Sequence, residues 1–376
     1  MNSPLVNRIE KIHPLTSLRF FAAFLVVLFH TLFKVFPAFQ DNFMGRSISV
    51  GFVSVSFFFL LSGYILAVVY LRGGGPLDHR KFFAARFARV YPLFLVTLVL
   101  DAPMIFLREM ASEGSRKGLV DTATMFAGST VMLQAWFLRF LGIDVPNWSL
   151  SVETFFYLSF PLLGPLLWRL RGARIWLTAL LIYAGGEALV WGAFHYLSEV
   201  KMMFVPLLHL STFALGILWA RWQMENGKSA RQTPVREWQV YAVLAGAAAV
   251  FACVVNFLSG VPGAYLQDGL LAPIFLALIW AVSSTKSWIS RVLSLPWLVI
   301  LGEASYGLYL IHIPVWHLVV LLHLDKSQAA YPAYLAVCVG LSVLSLYFLE
   351  KPARRALLGR LAVRPRESME AASDAQ

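Results

Sequence analysis

The chain has 376 residues, of which 59% are hydrophobic and only 14% charged, and its mean hydropathy is +0.69; soluble domains are about a quarter charged. The apolar residues come in blocks of about 20, each long enough to cross roughly 30 Å of hydrocarbon as a helix. This excludes an ordinary soluble domain and predicts an all-α, polytopic membrane protein. The net charge of +11 would suit nucleic acid, but its distribution over the loops argues for a topology signal instead.

In chain order, ten spans are predicted, at about 14–35, 50–71, 90–108, 148–168, 175–194, 204–220, 238–258, 268–284, 297–322 and 332–350. A shorter apolar piece near 123–138, broken by Gly128, is expected to be re-entrant or interfacial. Cytoplasmic loops collect Lys and Arg. With the N-terminus inside, the inside segments hold 22 of the 31 basic residues and the outside segments eight. Making 123–138 a crossing would put RLRGAR and the basic tail outside. Both termini are therefore expected to be cytoplasmic. Residues 1–360 read as one integral-membrane domain and 361–376 as a short polar disordered tail. No cleavable leader is expected, because the first apolar run is long and lacks a small-residue cleavage site. Cys253 and Cys338 lie in apolar runs and read as core side chains, with no disulfide or metal signature.

The first span, LTSLRFFAAFLVVLFH, carries Arg19 and His30. Eleven residues at 100° each bring them within about 20° of three whole turns, so they share a face and lie roughly 16 Å apart. Ionisable groups at membrane depth face a cavity or a partner. The pair suggests a polar passage with a cation at its cytoplasmic mouth and an imidazole deeper in, suited to proton transfer. In RKFFAARFARVYP, Arg86 and Arg89 are three apart, on one helical face, and suit phosphate groups; Arg80 and Lys81 read as cytoplasmic anchors. In PNWSLSVETFFYLSFPLL, Glu153 lies about as far from the outer end of its span as His30 does from its own. It is a candidate to orient the imidazole, or else a helix cap together with Ser149. Asp101 is a second candidate partner. Ser62–Gly63 predicts a close approach of two helices. His312 is deep enough to take part, whereas His209, His317 and Glu187 read as structural. HExxH, CxxC, P-loop and GxSxG motifs are absent.

These segments resemble the membrane-bound acyltransferase type 3 family. Arg19 and His30 resemble its first-span signature, and VSVSFFFLLSGYIL, RFARVYP, NWSLSVETFFYLSFPLL, GEASYGLYLIHIPV and FLEKPARR resemble its later motifs in order, over 15–355. Ser54 departs from the glycine often found before the FF motif. The resemblance implies O-acylation of carbohydrate, with a cytoplasmic acyl-CoA, acetyl-CoA foremost, as donor. The implied acceptor is a sugar hydroxyl of a cell-envelope or exported polysaccharide or glycolipid, a lipo-oligosaccharide or a glycosylated antibiotic. It implies His30 as the catalytic residue and Arg19, Arg86 and Arg89 as functional arginines. The residues themselves suggest that the arginines bind the donor, that Glu153 or Asp101 steadies the imidazolium, and that Trp148, Ser149 and His312 bind the acceptor. A bacterial inner-membrane location follows. Some relatives carry an extracytoplasmic hydrolase-like domain, and none is expected here. The competing expectation is a proton-coupled transporter or flippase, which would not need CoA.

Overall fold

Helix α1 (His13–Val35) carries the Arg19–His30 face. The chain then turns through Pro37–Asp41 and the short α2 (Phe43–Ser49), capped by the Asn42 side chain, into α3 (Ser54–Tyr70). This computed structural model describes residues 13–225, 236–257, 263–283 and 287–362. The expectations for Arg8, Lys11 and most of the polar tail lie outside those residues. Among the described residues every regular element is helical.

Helix α4 (His79–Glu113) is 35 residues long, about 52 Å at 1.5 Å per residue. The Asp78 side chain caps it by accepting from the Lys81 N–H at 3.0 Å, and Gly114, at φ +84°, ends it. Its early start matters. Arg86 and Arg89 lie on the helix as expected, and Arg80 and Lys81, expected as anchors in the preceding loop, belong to its first turn. Helix α5 (Ser115–Thr130) folds back along α4 until the Tyr91 hydroxyl donates to the Thr130 carbonyl, and residues 131–147 then climb to α6 (Trp148–Trp168). Phe82 stacks on Phe160, while the Asp144 N–H reaches Asp101, so α4 and α6 are antiparallel. The 123–138 region thus lies in the connection between these two antiparallel helices, its first half as the last part of α5.

Beyond α6 come α7 (Ala173–Ala193), the short α8 (Glu199–Met202), α9 (Leu210–Glu225), α10 (Glu237–Phe257) and the turn α11 (Gly263–Tyr265). The chain continues through α12 (Ala272–Ser283), α13 (Trp288–Leu293), α14 (Pro296–Leu321), α15 (Tyr331–Ser345) and α16 (Lys351–Ala362). Among the described residues eight helices are long and apolar enough to cross a membrane, against ten expected spans. The two others are shorter. The 204–220 span becomes α9, because the preceding turn folds back so that the Met203 carbonyl is bonded by His209 and Gln267. The 268–284 span opens as a π turn, Leu266–Leu270, where Gly269 takes φ +137°, and only α12 is regular helix.

The core lies between α3, α6 and α9. A Cβ on Gly63 would strike the backbone of Phe213 in α9, and one on Gly216 would strike Leu60 in α3. The two helices thus meet backbone to backbone, as the Ser62–Gly63 pair predicts, and either glycine to alanine would overpack the contact by about 1–3 kcal/mol. Leu158, Leu162, Leu180, Leu181 and Trp191 are exposed, as lipid-facing side chains are. Cys338 is buried as expected, but Cys253 is exposed on α10. The long apolar helices make this an integral membrane protein.

Candidate functional site

Helices α1 and α14 run parallel, with Gly302 against the backbone of Thr16 and Ser17 near their lower ends and His30 meeting His312 higher up. Between them and α3, α4, α6 and α16 lies a cavity of about 480 Å³. Arg19 from α1, Arg86 and Arg89 from α4 and Arg354 from α16 all line it. The three arginines expected to bind a donor are therefore brought together. Arg86 donates to the Tyr70 hydroxyl at 3.2 Å, and its guanidinium lies 5.5 and 5.9 Å from the Tyr70 and Tyr157 rings. Arg354, exposed at the lower rim, was not singled out from sequence; the signal was its place in FLEKPARR. Lys351 joins it there and pairs with Glu303 at 3.1 Å.

Glu153 belongs to this cavity and does not contact His30. It accepts from the hydroxyls of Ser62 at 3.1 Å and Tyr157 at 2.6 Å, and it faces Arg19. The depth count misplaces it because it assumes that every span starts at the same surface, whereas α6 starts below α4's upper end. Ser149 makes no capping box with Glu153. Its hydroxyl lies 2.8 Å from the Tyr309 hydroxyl, and both reach the Pro146 carbonyl, at 3.0 and 2.9 Å. Ser149 and Tyr309 line the upper end of the cavity together with Phe58.

One turn above Tyr309, His312 is fully buried. Its Nδ1 lies 2.7 Å from the Tyr309 carbonyl, which can only accept. In the neutral ring Nδ1 therefore carries the proton and Nε2 is an acceptor. That Nε2 lies 3.2 Å from His30 Nδ1, with the rings 5.2 Å apart at 28°. In that tautomer His30 donates from Nδ1 and its Nε2 is the unprotonated nitrogen, while the Val26 carbonyl also bonds the ring. The Tyr334 hydroxyl donates to the His312 carbonyl at 3.1 Å and steadies the segment. The partner expected from a carboxylate is thus supplied by a second histidine. Neither histidine lines the cavity, so the continuous passage expected from Arg19 to His30 is interrupted at Phe58 and Tyr309.

Asp101 is also committed elsewhere. Its carboxylate holds His317 Nδ1 at 2.5 Å and accepts the Asp144 N–H at 2.9 Å. Asp144 sits in the turn before α6 at φ +47°. Burial, and then the neighbouring Asp101, push its carboxyl well above the usual carboxylate range. Trp148 is 6% exposed and packed against Phe59, Phe204 and His209, so no face is open to a sugar. Sequence reasoning did not pair His209 with Asp268. Both are fully buried, with His209 Nδ1 2.8 Å from Asp268 and Nε2 3.1 Å from the Met203 carbonyl. The contact ties the residue just before α9 to the π turn. Removing one partner of such a pair typically costs about 3–5 kcal/mol.

A buried polar layer above an arginine-lined cavity, in a helical membrane protein, defines a class that could handle an anionic substrate and move protons. Comparison with known proteins makes this specific. The acyltransferase domain family matches residues 12–348, and the chain belongs to it. It is 34% identical over 179 residues to the acyltransferase MdmB of Streptomyces mycarofaciens, covering 45% of this chain and 43% of that protein. It is 24% identical over 395 residues to the O-acetyltransferase OatA of Staphylococcus aureus (strain NCTC 8325 / PS 47), covering 94% of this chain and 60% of that protein. The chain thus spans about half the length of these curated relatives. No solved structure matches.

Proposed function

We propose that this protein is a membrane O-acyltransferase that moves an acyl group, acetyl foremost, from a cytosolic acyl-CoA to a sugar hydroxyl of an envelope or exported glycan. The observation that carries the reading is the placement of the arginine-lined cavity one helical turn below the His30–His312 pair. Four guanidinium groups fit the phosphates of CoA, because each offers forked donors to anionic oxygens. The cavity then runs upward between α3, α6 and α14, as a pantetheine arm requires. The lower end is read as cytosolic, in the bacterial inner membrane.

In this mechanism Arg86, Arg89 and Arg354 hold the phosphates, and Arg19 guards the way in. Glu153, tied to Ser62 and Tyr157, keeps Arg19 extended into the cavity. His30 Nε2 removes the proton of the acceptor hydroxyl as its oxygen attacks the thioester carbonyl. His312 Nε2 accepts from His30 Nδ1–H and so steadies the imidazolium that forms. The C–S bond breaks, and the departing thiolate takes the proton from His30, leaving an ester, CoA thiol and a neutral ring. Base catalysis of this kind contributes about 10²–10⁴-fold.

The test is mass spectrometry of envelope glycans from a deletion strain. O-acyl esters should be missing, should return with the wild-type gene, and should stay missing with His30→Ala present at the same level in the membrane. An unchanged ester profile on deletion would overturn the reading.

A further inference from the structure

The cavity stops short of the group it is proposed to serve. Its upper lining includes Phe58, Ser149 and Tyr309 but neither His30 nor His312. Phe58 meets the Tyr309 ring edge-on at 6.3 Å, and Tyr309 in turn lies 6.1 Å from the His312 ring. The aromatic pair therefore stands between the arginine cavity and the histidine layer.

The two rings are held very differently. Tyr309 is fixed through its hydroxyl, which bonds Ser149 and the Pro146 carbonyl. Phe58 is held by packing alone, against Phe57, Tyr309 and the apolar cluster shared by α1, α14 and α15. It is also the one residue from Val53 to Leu61 that is not buried, because part of its ring faces the cavity. A ring with no polar anchor and free space beside it can change rotamer without leaving a polar group unsatisfied.

We infer that Phe58 is the movable wall between the donor cavity and His30, and that its size selects short, narrow acyl groups. The inference rests on the donor reading above. The acyl group enters from the arginine side, displaces Phe58 against the fixed Tyr309, and only then brings the thioester carbonyl to His30. A longer chain must hold the ring aside along its whole length, which the packed cluster behind Phe58 resists.

The test measures binding of acetyl-CoA, hexanoyl-CoA and free CoA to the full chain in lipid nanodiscs, for wild type, Phe58→Ala, Phe58→Leu and Phe58→Trp. The readout is the ratio of hexanoyl-CoA to acetyl-CoA affinity, which cancels changes in headgroup binding. Removing the ring should raise this ratio about tenfold in Phe58→Ala, the scale on which pockets discriminate apolar groups. It should rise less in Phe58→Leu and fall in Phe58→Trp. Thermal unfolding shows which variants are folded, and Phe58→Leu, the mildest change, answers if Phe58→Ala does not fold. A ratio unchanged across the folded variants overturns the inference while leaving the donor reading standing. Failure of the wild type to bind free CoA removes both.

Discussion

The lower and upper halves of the site are built on opposite principles. Below, Arg19, Arg86, Arg89 and Arg354 converge on open space from three helices, and most of their capacity to donate is left for something that enters. Above, His30, His312, Tyr309 and Ser149 bond to one another and to backbone carbonyls, and the rings are packed. On the proposed reading, a region that grips a mobile, highly charged donor leaves its own hydrogen-bond donors unspent. A region that must hold one proton in one place satisfies every neighbour of that proton. Loss of a group from the upper half should therefore show in turnover, and loss from the lower half in donor affinity.

The largest effect should come from His30→Ala, with transfer falling about 10²–10⁴-fold while the protein stays folded and binds acyl-CoA. Retention of wild-type turnover would falsify the division at its centre. Next is His312→Leu. An untethered base should cost on the order of 10–100-fold in kcat, with little change in donor KM. His312→Gln keeps an acceptor near His30 Nδ1 and should recover part of the loss; equal loss in both variants would mean that His312 acts only by packing. Third, Arg86→Ala should weaken acyl-CoA binding about tenfold or more, the scale of one charge-assisted hydrogen bond, with kcat nearly unchanged. Arg86→Lys should not restore it, because the guanidinium also lies against the Tyr70 and Tyr157 rings. A change confined to kcat would contradict the proposed split.

The smallest effect concerns Asp144, beside the site. Its carboxyl is raised in the folded chain by burial and by Asp101, so the native protein keeps a proton that the unfolded chain releases. That contribution to stability is complete below the ordinary carboxylate value, about 4, and is lost as pH rises through the raised value. Asp144→Asn should therefore gain a few degrees in Tm over wild type as pH is raised from about 4 to 8, and transfer should change little. A difference in Tm that does not vary with pH would show that the side chain is not held protonated.

Much of this protein is legible before folding is considered. Apolar blocks place the chain in a membrane, because no other medium tolerates them, and the motif order matches the family that the comparison identifies. The convergence of Arg86 and Arg89 follows from helical spacing alone. The His30–His312 contact does not, although both residues were candidates, and neither does the pairing of Asp101 with His317 or of His209 with Asp268. Glu153 and Asp101 were alternative candidates to partner His30, and each has other partners.

What the amino-acid order by itself determined is which residues share a helix face and which segments prefer lipid, since periodicity and transfer free energy act within one element. Only the tertiary structure decided how far each helix is shifted along its neighbours. That shift depends on a helix starting early at Asp78, a chain folding back through α5, a π turn at Gly269 and glycines that let α3 and α9 touch. It sets which face meets which at a given depth, and so put a histidine beside His30 and left the carboxylate of Glu153 among the arginines.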